Sequence, residues 1–86
     1  VKITRTTRFK KAWKELSREE KSLTRKALGN LIEDLRYPTL RVKKIQGVGN
    51  IWEARASSSL RITFEIKKDT VILRNIGRHD DILERP

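Results

Sequence analysis

The chain has 86 residues, 37% charged and 36% hydrophobic, with 21 Lys and Arg against 11 Asp and Glu and a formal net charge of +10. That length leaves room for one small domain, which buries only about 60–65% of its unfolded surface and is expected to be marginal or partner-supported. With no Cys, one His and no apolar run near ~20 residues, disulfides, thiol nucleophiles, thiolate or multi-His metal sites and a membrane span are excluded. The cations are spread along the whole chain, so the charge belongs to the domain and points to nucleic acid, an anionic membrane or an acidic protein as partner. No signal-peptide pattern is visible, and a soluble cytoplasmic protein is expected. The start without Met suggests a processed terminus.

Residues 1–6 are rich in β-branched side chains and read as a short strand. Phe9, Trp13 and Leu16 recur at helical spacing, with Lys10, Lys11 and Lys14 outside the stripe. Ser17 followed by Glu20 matches a capping box and starts a second helix. Its expected buried stripe is Leu23, Ala27, Leu31 and Leu35, widened by Leu28 and Ile32. Gly29 lies inside it, as for a close helix–sheet contact, and Tyr37-Pro38 ends it. Residues 39–50 form a basic connector with Arg41, Lys43 and Lys44. Strands follow at 51–57, 60–67 and 70–77, and then the tail GRHDDILERP, whose apolar residues can pack across the sheet edge. The expected fold is α+β: strand one and a helical hairpin packed on a small antiparallel sheet, in the order β-α-α-β-β-β.

Alternation fixes the register. A two-residue turn at Lys68-Asp69 pairs Ile66 with Val71 and Phe64 with Leu73, and continues to Thr63 opposite Arg74 and Arg61 opposite Ile76. A three-residue loop, Ser57 to Ser59, pairs Ala54 with Ile62 and Trp52 with Phe64, whereas a two-residue turn would place Arg55 on the core face. The chosen register puts Glu53, Arg55, Arg61, Thr63 and Arg74 on one face, with Arg55 opposite Arg61. Facing cations are destabilising unless an anion lies between them. His79, three residues past Ile76, projects toward the same end. The alternative is an ordinary solvated strand face. Phe9, Trp13 and Trp52 fall on apolar stripes and are expected in the core, while Ile72 and Ile76 lie on the polar face and need cover.

The succession LRVKKIQG, WEAR, LRITFEI and VILRNIGRHDDIL resembles the RelE/ParE superfamily of toxins from toxin–antitoxin operons, over essentially residues 1–86 as one toxin domain. The resemblance implies a ribosome-dependent, metal-independent endoribonuclease that cleaves mRNA, needs no cofactor and is held inactive by a cognate antitoxin, as monomer or in a toxin–antitoxin hetero-oligomer. Its other branch, ParE, inhibits DNA gyrase without chemistry of its own; a degenerate RNA- or antitoxin-binding relic is a third outcome. Residue by residue, Arg61 matches the strand Arg that contacts the scissile phosphate, Arg55 an assisting basic position, and His79 the His after the last strand. Glu53 is the remaining base candidate. Arg41, Lys43, Lys44, Arg74 and Arg78 are the expected RNA and ribosome contacts. The chain departs from the pattern at Glu53, where a relative is basic, and in DDILERP, which lacks the aromatic often found there.

Overall fold

The computed structural model describes residues 2–47 and 49–86, and of Leu83 the main chain alone; Val1 of the expected first strand and Val48 of the connector lie outside the described residues. The elements are β1 (Lys2–Arg5), α1 (Thr7–Lys14), α2 (Arg18–Glu33), a 3-10 turn (Pro38–Leu40), β2 (Lys43–Lys44), β3 (Ile51–Arg55), β4 (Leu60–Lys67), β5 (Thr70–Arg78) and α3 (His79–Glu84). The five strands form one sheet in the order β1-β5-β4-β3-β2. The α+β fold is as the sequence implies, with three additions: the two-residue β2, helix α3, and a parallel pairing of β1 with β5 that makes the sheet mixed.

The helices begin where side chains satisfy their free N–H groups. The Thr6 hydroxyl accepts from Phe9 N at 3.1 Å and also reaches the Leu73 and Arg74 carbonyls, at 3.0 and 3.1 Å. The same residue therefore starts α1 and ties it to β5. Ser17 and Glu20 form the predicted reciprocal capping box at the start of α2. The Arg25 guanidinium lies 5.2 Å from the centre of the Trp13 ring, joining α2 to α1.

The core combines Phe9, Ala27 and Leu31 of the helices with Leu40, Ala54, Ile62, Phe64, Val71, Leu73 and Ile76. Trp13 and Trp52 are half-buried against it. The stripe of α2 is rotated from the expected one: Thr24 is fully buried, its hydroxyl donating to the Glu20 carbonyl at 2.8 Å, whereas Leu23 and Ile32 are exposed. The helix also stops at Glu33, four residues before Tyr37-Pro38. The Asp34 carboxylate accepts from Arg36 N at 2.9 Å, a local turn that competes with a further helical turn.

Gly29 makes no close helix–sheet contact: a Cβ there would meet nothing within 4 Å. Gly29→Ala is therefore expected to stabilise the protein by about 0.5–1 kcal/mol, seen as a rise of about 2–8 °C in melting temperature. A lower melting temperature would show that this helix surface is engaged.

The β3–β4 register is the one derived from the sequence, with Trp52 opposite Phe64, Ala54 opposite Ile62 and Arg55 opposite Arg61. The β4–β5 ladder begins as expected, with Ile66 opposite Val71 and Phe64 opposite Leu73, and then shifts. Thr63 faces Asn75 and Arg61 faces Gly77, so the expected partners Arg74 and Ile76 are corrected. Arg74 is the additional residue of a β-bulge. The bulge moves Ile76 to the core face, opposite Ile62 and 3% exposed, so of the two isoleucines assigned to the polar face only Ile72 keeps that place.

The tail forms α3, packed on β4 and β5 with Ile82 buried. Its continuation crosses the supposed solvent face: Asn75 Nδ2 donates to the main-chain oxygen of Arg85 at 2.9 Å, and Thr63 Oγ1 to that of Pro86 at 2.8 Å. Among the described residues, no helix is long and apolar enough to cross a membrane.

Candidate functional site

The loop Ser57–Ser59 is the meeting point of the predicted residues. Its first serine closes it, the Ser57 hydroxyl accepting from Ser59 N at 3.3 Å and Leu60 N at 3.1 Å. The main-chain oxygens of the loop then face the cations. Arg61 Nη1 donates to Ser57 O at 2.8 Å and Ser58 O at 3.4 Å, and to Leu60 O at 3.0 Å. Arg55 Nε donates to the same Ser57 oxygen at 3.3 Å. His79 N, at the head of α3, donates to Ser59 O at 3.0 Å. Arg55 and Arg61, from β3 and β4, are thus anchored to one three-residue loop by their side chains, and His79, at the head of α3, by its main chain.

This geometry answers the electrostatic problem of two facing guanidinium groups. They share a carbonyl dipole, and Arg61 has a carboxylate as well, its Nε lying 3.4 Å from Glu53 Oε1. Glu53 is 3% exposed. A buried carboxylate is retained when paired and hydrogen-bonded, and Arg61 is its partner here. Arg61 itself keeps 17% of its side-chain surface exposed.

His79 is partly exposed, and its Nδ1 is buried without a hydrogen-bond partner among the described residues.

The other candidates are dispersed. Lys43 and Lys44 are exposed on β2, opposite Glu53 and Trp52. Arg41 is exposed beyond the 3-10 turn in a left-handed conformation, φ 46°. Arg74 is drawn away from the Arg pair by the bulge: its Nη1 bonds Glu65 Oε2 at 3.0 Å and its Nε the main-chain oxygen of Pro86 at 3.3 Å. Arg78 is exposed at the cap of α3. Among the described residues, no group of three or more His, Cys, Asp or Glu is placed to hold a metal ion. The serine loop and the covering role of Thr63 and Asn75 were not singled out from the sequence as part of a site. The loop's signal was the three-residue length that the register demanded; Thr63 and Asn75 gave none, because their partners are main-chain oxygens.

No family model matches the chain, and no curated protein matches its sequence. Solved structures match its fold. A chain of the RelB–RelE antitoxin–toxin complex from Methanococcus jannaschii superposes with TM-score 0.76 at 22% identity, over 100% of both chains. YafQ from E. coli gives 0.79 at 14% identity, over 93% of this chain and 94% of that one. A metal-bound toxin from Helicobacter pylori gives 0.74 at 23% identity, over 95% and 98%. The resemblance read from the motifs is borne out as a fold: the chain has the RelE-like toxin architecture throughout its length.

Proposed function

We propose that a chain with the fold of the RelE and YafQ toxins, and with Arg55, Arg61 and His79 gathered on one loop, is the toxin of a toxin–antitoxin pair and cleaves mRNA at the ribosome. The meeting of the Arg55 and Arg61 side chains on the loop that also holds the main chain of His79 carries the reading. In the reaction, the ribose 2′-oxygen attacks the adjacent phosphorus as its proton passes to a base. The bond from phosphorus to the 5′-oxygen breaks, that oxygen takes a proton, and a 2′,3′-cyclic phosphate remains. Extra negative charge builds on the phosphoryl oxygens. Arg61 and Arg55 suit its stabilisation, because planar guanidinium groups grip two oxygens at once. His79 suits delivery of the proton to the leaving 5′-oxygen, since an imidazole exchanges protons near neutral pH. Glu53, the remaining base candidate, is paired with Arg61 at 3.4 Å and orients its guanidinium.

Primer extension on mRNA translated in vitro tests this. Wild type should give discrete stops that vanish with His79→Ala while the fold persists. Stops of equal strength in both would remove His79 from the site. A second reading draws on the bonds Arg61 already makes with Glu53 and the loop carbonyls: a ParE-like gyrase inhibitor, in which these cations only hold the fold. Inhibition of DNA supercoiling without mRNA cleavage would establish it.

The partner in this reading is an acidic antitoxin, favoured by the net charge of +10, with fast and salt-sensitive association. Saturation at ~100-fold above Kd is expected to add about 2.7 kcal/mol of stability, seen as a higher melting temperature for the complex. Equal melting temperatures would exclude a partner that binds only the native state.

A further inference from the structure

The loop Ser57–Ser59 joins β3 to β4 with three residues, a length that ordinarily depends on one residue in the left-handed region. None of the three serines is there: among the described residues, the non-glycine positions of positive φ are Arg41 and Lys68. Hydrogen bonds close the loop instead. Ala56 N and Ser57 N both donate to Leu60 O, at 3.0 and 3.3 Å, and the Ser57 hydroxyl accepts from Ser59 N and Leu60 N. Each bond to the hydroxyl also fixes the other side of its peptide. A trans peptide sets its N–H and C=O in opposite directions, and the described residues contain no cis bond. With the Ser59 N–H turned to the hydroxyl, Ser58 O points away from it, where Arg61 Nη1 lies at 3.4 Å. With the Leu60 N–H turned the same way, Ser59 O is presented to His79 N at 3.0 Å. Ser57 O, in the same turn, receives Arg61 at 2.8 Å and Arg55 at 3.3 Å. Ser57 is half-buried, whereas Ser58 and Ser59 are exposed.

We propose that the Ser57 hydroxyl is a positioning group: it sets the peptide planes that hold the Arg61 guanidinium and that fix where α3, with His79 at its head, begins. It acts through these neighbours and not on a substrate. Serine suits the place because its oxygen accepts from two N–H groups at once on a side chain short enough for a tight turn. Alanine would leave Ser59 N and Leu60 N without that acceptor and the two planes free to rotate. The effect on cleavage rests on the ribonuclease reading; the effect on the loop does not.

Two measurements separate these effects. Amide hydrogen exchange reads the loop: Ser57→Ala should raise exchange at Leu60 and His79 about tenfold more than at the core amides of Phe64 and Leu73. Ser57→Thr keeps the hydroxyl and should restore the protection. Cleavage of ribosome-bound mRNA, measured well below the melting temperature of each variant, should fall about tenfold or more in Ser57→Ala, the scale of a misplaced catalytic group, and stay within about threefold of wild type in Ser57→Thr. In an Arg61→Lys background, Ser57→Ala should cost less than about threefold, because residues that act as a unit are not additive. A residue that served stability alone would lower both backgrounds equally. The proposal is overturned if exchange rises no more at Leu60 and His79 than in the core, if the two backgrounds lose equally, or if threonine is as impaired as alanine. Should wild type cleave nothing, the ribonuclease reading fails, and the exchange data decide the role of Ser57 by themselves.

Discussion

Arg61→Ala is expected to lower cleavage of ribosome-bound mRNA by about 10²–10³, the usual effect of deleting one stabiliser of transition-state charge. The substitution has a second consequence. Glu53 is 3% exposed and Arg61 is its ion partner at 3.4 Å, so alanine leaves a buried carboxylate unpaired. Removing one partner of a buried pair is more damaging than removing both. The double variant Arg61→Ala with Glu53→Gln separates the two effects: it should melt closer to wild type than Arg61→Ala does and remain as inactive. Arg61→Lys keeps a charge for Glu53 but cannot grip two phosphoryl oxygens, and should retain the fold with most of the rate lost. A variant that folds and cleaves at the wild-type rate without the guanidinium would take Arg61 out of the reaction.

Phe64→Ala is expected to cost about 3–5 kcal/mol. Phe64 is fully buried on β4, between Trp52 on one neighbouring strand and Leu73 on the other. A protein of this length has about 4–13 kcal/mol of stability at the usual per-residue values, so this one truncation removes a large share of it. Urea denaturation should show the midpoint falling with little change in the slope. A shift of less than about 1 kcal/mol would mean that helices and sheet collapse into the space freely.

Local patterns carried the sequence reading as far as local patterns decide. The alternation Leu60, Ile62, Phe64, Ile66 and the three serines were enough to set Arg55 opposite Arg61, because a two-residue turn places a cation in the core. The bulge was present in the sequence as a broken rhythm. Val71 and Leu73 are two apart, but the next buried residue, Ile76, is three further on, which is the spacing one inserted residue creates. In α2, Leu23 yields the buried stripe to Thr24, whose hydroxyl is satisfied by the Glu20 carbonyl and so can be buried; apolar counting overlooks such a residue. The direction of β1 was not legible, because a strand pattern is the same whichever way it runs. Helix α3 is six residues long without a side-chain cap, too short for periodicity to reveal it. For the site, the residue types were legible but not their engagement. That the C-terminal segment would lie over Thr63 on the face shared with Glu53 and Arg61 rests on a contact across 23 positions of sequence.

The parallel pairing of β1 with β5 also sets when the protein can exist. The first strand leaves the ribosome well before its partner, Thr70–Arg78, has been made. At about 5–20 residues per second, the N-terminal strand waits several seconds with no edge to join. Thr6, whose hydroxyl reaches the carbonyls of Leu73 and Arg74, cannot complete its bonds before then either. Completion of the sheet is thus deferred until β5 has been made, and a protein proposed to attack translating ribosomes has no assembled sheet before then.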